Sequence, residues 1–229
     1  MGNTSLSRLT ERELAGAGLS FRKEAKRKLI HVTGLALPII YFYTPRPLAV
    51  EILTAITTTS LVLDYARHRH SKTSEIFNRI FGRILRIHEY DIEGKHLNAV
   101  TWFFIAATIS VAVFPKYITV VSITEALLGD AAAALVGRHF GRRRFRGKSL
   151  EGSCAFFLTA LAVMLLVPKI TYTRGEYIIG VLAALVGTAV ELTPVEVMDD
   201  NFIVPLSIAG SMWLLYTLLF PEITMHFGT

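Results

Sequence analysis

The charged residues that interrupt this apolar chain gather in four clusters, and their types suit the handling of a phosphate-bearing anion. The clusters are Glu24/Arg27/Lys28/His31, Gly129-Asp130, the run from Gly137 to Gly152 (GRHFGRRRFRGKSLEG), and Glu191 with Asp199-Asp200-Asn201. Lysine and arginine neutralise phosphate oxygens, and glycine lets backbone approach a ligand closely. Carboxylates hold a divalent cation or take a proton. Charge spent this way at the ends of apolar stretches points to an enzyme or a transporter working at a membrane edge.

Asp130 lies inside the apolar run 117–137, about two helical turns from its end. An ionisable group there is expensive and is a functional candidate, with pairing to an arginine as the structural alternative. Glu125 lies deeper, either as a proton acceptor or as a neutral carboxyl hydrogen-bonded within a bundle. The segment Gly141 to Ser149 superficially resembles a phosphate loop. Its two glycines are six residues apart instead of five, and no strand precedes it, so that motif is excluded. Phosphate binding can still operate: Gly147 permits close approach, Lys148 supplies a point charge, and Ser149 can cap a helix starting near Glu151, whose free N–H groups favour an anion. A capped helix after a basic loop is the structural reading of the same residues. For Asp199, Asp200 and Asn201 two readings stand, a helix N-cap or, with Glu191, part of a Mg²⁺ site. Glu24, Lys28 and His31 recur at i, i+4 and i+7 and share one helix face beside Arg27, where they form an ion pair or grip phosphate. Lys95 and His96 mark another helix entry and carry little by themselves.

The elements that must position these groups are membrane helices. Of 229 residues, 52% are hydrophobic and 18% charged, against about 25% charged in an ordinary soluble domain. Seven apolar segments run over 29–44, 47–64, 98–115, 117–137, 153–168, 178–193 and 202–220, predicting one all-α, polytopic domain over 1–229. Segments 29–44, 153–168 and 178–193 are short for a span. Thr44-Pro45-Arg46-Pro47 predicts a tight break between the first two helices. With the N-terminus in the cytoplasm, the inner pieces 1–28, 65–97 and 138–149 carry seven, seven and six Lys/Arg, against four outside. That asymmetry fits an odd number of spans. Residues 75–88 place Ile76, Phe77, Ile80, Phe81, Ile84 and Leu85 on one helical face and Arg79, Arg83 and Arg86 on another. This is the pattern of an amphipathic helix on the inner leaflet, or of one packed on the bundle.

Composition also excludes. Cys154 is the only cysteine, so there is neither an internal disulfide nor a cysteine metal cluster. The net charge of +6 resides in inside loops, and no nucleic-acid-binding module is visible. Residues 1–28 are polar and basic and do not read as a cleaved signal peptide.

Three stretches in order resemble the motifs of the CTP-dependent lipid kinases, which include polyprenol (dolichol) kinase, phytol kinase and CTP-using diacylglycerol kinase. Glu24-x-x-Arg27-Lys28-x-x-His31 resembles the opening motif. Gly129-Asp130-Ala131-Ala132-Ala133, Gly137-Arg138-His139-Phe140-Gly141 and Gly147-Lys148-Ser149-Leu150-Glu151-Gly152-Ser153 resemble the central one. Glu191, Asp199-Asp200-Asn201 and Pro205 resemble the closing one. The CDP-lipid synthases are similar in the central motif, but their His-Gly-Gly and Asp-Arg endings are missing from this chain.

The resemblance implies transfer of the γ-phosphoryl group of CTP to a membrane lipid alcohol, polyprenol-type first, with Mg²⁺, in a multi-pass protein of the cell membrane or endoplasmic reticulum. It implies Asp130, Lys148, Glu151 and Asp200 as catalytic groups. Arg27, Lys28, His31, Gly129, Arg138, Gly147, Ser149 and Asn201 would bind nucleotide, and Asp130, Asp199, Asp200 and Glu191 would bind metal. Glu24, Glu151 and Glu191 would orient the basic groups. The CDP-lipid synthase and a transporter of anionic solutes are the competing readings. A transporter calls for polar sites near the midplane and internal repeats, and neither is evident.

Overall fold

The computed structural model describes residues 31–69, 97–193 and 198–222. Glu24, Arg27, Lys28, Lys95, His96 and the amphipathic stretch 75–88 lie outside them. Among the described residues seven helices follow in order. A 3₁₀ turn, Thr33–Leu35, leads into α1 (Ala36–Tyr43), then α2 (Arg46–Arg69), α3 (Ala99–Val113) and α4 (Lys116–Phe140). A two-stranded hairpin, β1 (Arg144–Phe145) and β2 (Lys148–Ser149), precedes α5 (Leu150–Leu166), α6 (Arg174–Leu192) and α7 (Asp200–Leu219). Each apolar segment became one helix, and the fold is that of an all-α membrane protein. Helices α4, α6, α7 and the Arg46–Arg67 part of α2 are long and apolar enough to cross a membrane, while Thr33–Tyr43, α3 and α5 are shorter apolar helices.

Local chemistry sets the helix ends. Pro45 and Pro115 stand in the tight breaks α1–α2 and α3–α4, where a missing N–H costs least. Asn98 caps α3 by accepting from the N–H groups of Val100 and Thr101 at 2.8 and 2.9 Å. Ser149 caps α5 through Gly152 N–H at 3.0 Å, as its sequence position predicts. Asp199 caps α7 through Asn201 N–H at 2.9 Å.

Helices α4, α5, α6 and α7 close a four-helix ring, α3 packs on α7 and α4, α2 on α3, and α1 on α4. The main core lies inside the ring, built from Ile118, Val121, Phe156, Ile179, Ile208, Met212 and their neighbours. Large apolar side chains such as Ile39, Val62, Leu158, Leu166, Ile178 and Leu214 face outward. Such an inside-out distribution suits lipid as solvent.

The α4–α5 seam is the tightest. A Cβ on Gly152 would lie 2.7 Å from the Ala133 carbonyl oxygen and 3.2 Å from Gly137 Cα. Close approach of backbones through small residues is how membrane helices gain packing energy where the hydrophobic effect is absent. Gly152→Val is expected to cost about 3 kcal/mol by overpacking, read as a lower thermal midpoint in detergent.

At the end of the ring away from Gly152, Glu176 is fully buried and holds the α5–α6 turn. Its carboxylate accepts from the N–H groups of Ile170, Thr171 and Tyr172 at 3.0, 2.8 and 2.7 Å and from the Tyr216 hydroxyl at 3.0 Å. Lys169 donates to the Met164 and Val167 carbonyls that end α5. Glu176→Ala orphans these donors and is expected to cost about 3 kcal/mol. Glu191 sits fifteen residues further along α6, about 22 Å away. Turnover per folded molecule at low temperature should therefore persist in Glu176→Ala while its melting point drops.

Candidate active site

The antiparallel succession of helices brings the start of the first helix, the end of α4, the hairpin, the end of α6 and the start of α7 to one end of the bundle. Members of all four clusters meet there in two groups of side-chain contacts. His31 Nε2 lies 3.2 Å from Asp130 Oδ2. Lys148 Nζ lies between two carboxylates, 2.7 Å from Asp200 Oδ2 and 3.0 Å from Glu191 Oε1. Ser153 donates to the other Glu191 oxygen at 3.0 Å. Lys148 thus ties the central motif to residues 43 and 52 positions away in sequence.

A pocket joins the two groups. Its polar wall is His31, Asp130, Glu191, Asp200 and Asn201. Its apolar wall is Phe103, Ala126, Leu127, Phe156, Val204 and Pro205. A hydroxyl on a greasy tail and a charged group could meet in such a space. Asp64 anchors the helices beside it. Its carboxylate accepts from Asn98 N at 3.0 Å, Asn98 Nδ2 at 2.7 Å and Thr101 Oγ1 at 2.7 Å, and pairs with Arg67 at 3.1 Å. These residues were not singled out in the sequence, although Asp64 at the end of one apolar run and Asn98 opening the next were the available signal.

The hairpin presents Lys148. Arg146 and Gly147 have φ of 47° and 88°, the pair of positive values that a two-residue type I′ turn demands. Gly147 meets that demand at no steric cost. Burial disfavours the Lys148 ammonium, but the carboxylates of Asp200 and Glu191 outweigh it and raise its pKa above the ordinary lysine value. The contribution of Lys148 to stability is full below the unfolded pKa of about 10.4 and is lost as pH rises through the higher folded value. Lys148 is therefore charged at every working pH.

Other expected site residues received different work. The Glu151 carboxylate accepts from Arg143 N–H at 3.2 Å, and Leu150 N–H donates to the Arg143 carbonyl at 2.9 Å, so Glu151 latches the base of the hairpin. Ser149 is spent on the α5 cap and Asp199 on the α7 cap, the structural alternatives weighed for both. Arg138 is exposed in the last turn of α4, outside the pocket lining. Gly129 packs against the Phe156 ring that walls the pocket. Glu125 is fully buried in α4, is not a lining residue, and has no hydrogen-bond partner among the described residues.

Mg²⁺ needs one or two carboxylates plus phosphate oxygens and water. Among the described residues no group of three or more His, Cys, Asp and Glu side chains is placed to hold an ion unaided. Asp130 and Asp200 both line the pocket. Two carboxylates facing one space suit a cation that arrives with phosphate.

The chain is 30% identical over 204 residues to an uncharacterized protein of Rickettsia prowazekii, covering 89% of this chain and 97% of that one. It is 24% identical over 165 residues to CTP-dependent diacylglycerol kinase 1 of Schizosaccharomyces pombe, covering 66% of this chain and 74% of the yeast protein. It is 33% identical over 141 residues to a probable chloroplastic phytol kinase of Triticum aestivum, covering 54% of this chain and 47% of the wheat protein. No family model matches the chain, and no solved structure matches it.

Proposed function

This chain belongs to the CTP-dependent lipid kinase family, and on that premise we propose that it transfers the γ-phosphoryl group of CTP to the hydroxyl of a membrane lipid alcohol, leaving a lipid monophosphate and CDP. The observation that carries the proposal is the meeting of Lys148 with Asp200 and Glu191 beside a pocket that is polar on one wall and apolar on the other. The relatives' activities move diacylglycerol and phytol ahead of polyprenol as acceptor.

Phosphoryl transfer asks for positioning and charge neutralisation more than for covalent chemistry. Lys148 leaves its carboxylates in part to meet the β- and γ-phosphate oxygens, with Arg27, Lys28 and Arg138 as further phosphate contacts. The lipid tail rests against Phe103, Phe156 and Val204, and its hydroxyl points at the polar wall. The hydroxyl oxygen forms a bond to the γ-phosphorus, the bond from that phosphorus to the β,γ-bridging oxygen breaks, and the proton passes to Asp130. Glu191, held by Ser153, keeps Lys148 in place. Asp200 with Asp130 would hold Mg²⁺, which would supply positive charge to offset that of the phosphates. Asn201, which lines the pocket, contacts the nucleotide, and the excess of Lys/Arg in the loops at this end of the bundle supports a cytoplasmic face.

The test is transfer of label from γ-labelled CTP, with ATP in parallel, by the purified protein with Mg²⁺ and diacylglycerol, phytol or polyprenol. Label entering lipid from CTP supports the proposal. Release of pyrophosphate with phosphatidate as acceptor would instead identify a CDP-lipid synthase, and no transfer to any acceptor would sink the kinase reading.

A further inference from the structure

We propose that Phe145 is the platform on which the base of the nucleotide stacks, an inference that rests on the nucleotide reading of the site. The antiparallel register sets Phe145 directly opposite Lys148, across the Arg146-Gly147 turn. Side chains of directly opposed residues leave the same face of a two-stranded ribbon, with Cβ atoms about 5 Å apart. The Lys148 side chain leaves that face to reach Asp200 and Glu191. The Phe145 ring therefore stands on the site's side of the hairpin, next to the ammonium that meets phosphate. Arg144 and Ser149 share the opposite face, where Ser149 caps α5.

Nothing in the folding of the hairpin calls for an aromatic ring at this position. The loop is held by its backbone pairing, the Ser149 cap and the Glu151 latch. Phe145 belongs to none of the apolar clusters of the bundle and is 45% exposed amid arginines. The Arg146 guanidinium lies 5.6 Å from its ring centroid, an arrangement that steadies the ring. A nucleotide lying along this edge meets Lys148 with its phosphates and Phe145 with its base. Stacking on an aromatic face holds any base, because every base has a π-face. Phe145 accordingly contributes to affinity, and the choice of cytosine resides elsewhere.

The competing use of an exposed phenylalanine among arginines at a membrane edge is to dip into the lipid interface, and one experiment separates the two. Full-length Phe145→Trp in nanodiscs is titrated with Mg²⁺–CTP and with inorganic tripolyphosphate, and its emission is compared with that of the parent chain, which contains Trp102 and Trp213. The expected result is a saturable quench of the introduced indole by CTP and none by tripolyphosphate. In parallel, Phe145→Ala raises the KM for CTP about tenfold and moves kcat far less, while Phe145→Trp keeps the parental KM. An indole that is quenched by brominated lipid and ignores CTP, in protein that still binds labelled CTP, would make the ring a membrane anchor and overturn the platform alone. Failure of the parent chain to bind labelled CTP would remove the nucleotide reading and the platform with it.

Discussion

Lys148→Met is expected to lower kcat/KM for CTP by about 10³-fold or more, the scale seen when a preorganised charge on a transferring phosphoryl group is removed. Methionine keeps the length and the apolar stem of the side chain and deletes only the charge. The consequence for folding is separate and smaller. Glu191 and Asp200 would be left facing one another, with Glu191 8% and Asp200 24% exposed. Removing one partner of a fully buried pair costs about 3–5 kcal/mol, and partial exposure at Asp200 reduces this toward about 2 kcal/mol. The triple variant Lys148→Met/Glu191→Gln/Asp200→Asn distinguishes the two effects. It should regain the parental melting temperature in detergent while remaining inactive, because the repulsion is gone and the phosphate contact is still missing. Wild-type turnover in Lys148→Met would remove the hairpin from the site.

Asp130→Asn carries the second large effect. Asparagine preserves the shape of the side chain and a polar contact to His31, which lies 3.2 Å from the carboxylate, so the variant should fold. It can neither take the proton of an attacking hydroxyl nor offer a full negative charge to Mg²⁺. A loss of about 10²–10⁴-fold is expected if it acts as the base. Kinetics then separate its roles. A base lost from the site lowers kcat and leaves the Mg²⁺ requirement unchanged, whereas a ligand lost from the metal raises the Mg²⁺ concentration needed for half-maximal rate. Unchanged kinetics in both respects would exclude Asp130 from catalysis and leave the His31 pair as a packing contact.

The helices were legible because their signals are local. Prolines at 45 and 115 stand where one helix stops and the next begins, and Ser149 and Asp199 cap the helices that follow them. Boundaries shifted where polar residues extend a helix beyond its apolar run. Helix α4 continues through Arg138 and His139 to Phe140, and α5 begins at Leu150. The hairpin was not legible. Its four paired residues and two turn residues include two arginines and a lysine, a composition that reads as a solvated loop, and its positive φ at Arg146 follows no residue preference.

The sequence by itself determined that this is a helical membrane protein whose few charges collect at helix ends, since burial of apolar residues and the cost of charge in lipid act on each segment independently of the rest. It also carried the motifs that resemble a lipid kinase. Only the tertiary structure decided which charges face one another. Lys148 meets Glu191 and Asp200, His31 meets Asp130, and Asp64 meets Asn98 across separations of 34 to 99 residues in the chain. The physical reason is that a buried or half-buried charge must find its counter-charge or hydrogen-bond donor in space. Which partner is within reach depends on how the helices pack around the α4–α5 seam, and no spacing along the chain records that.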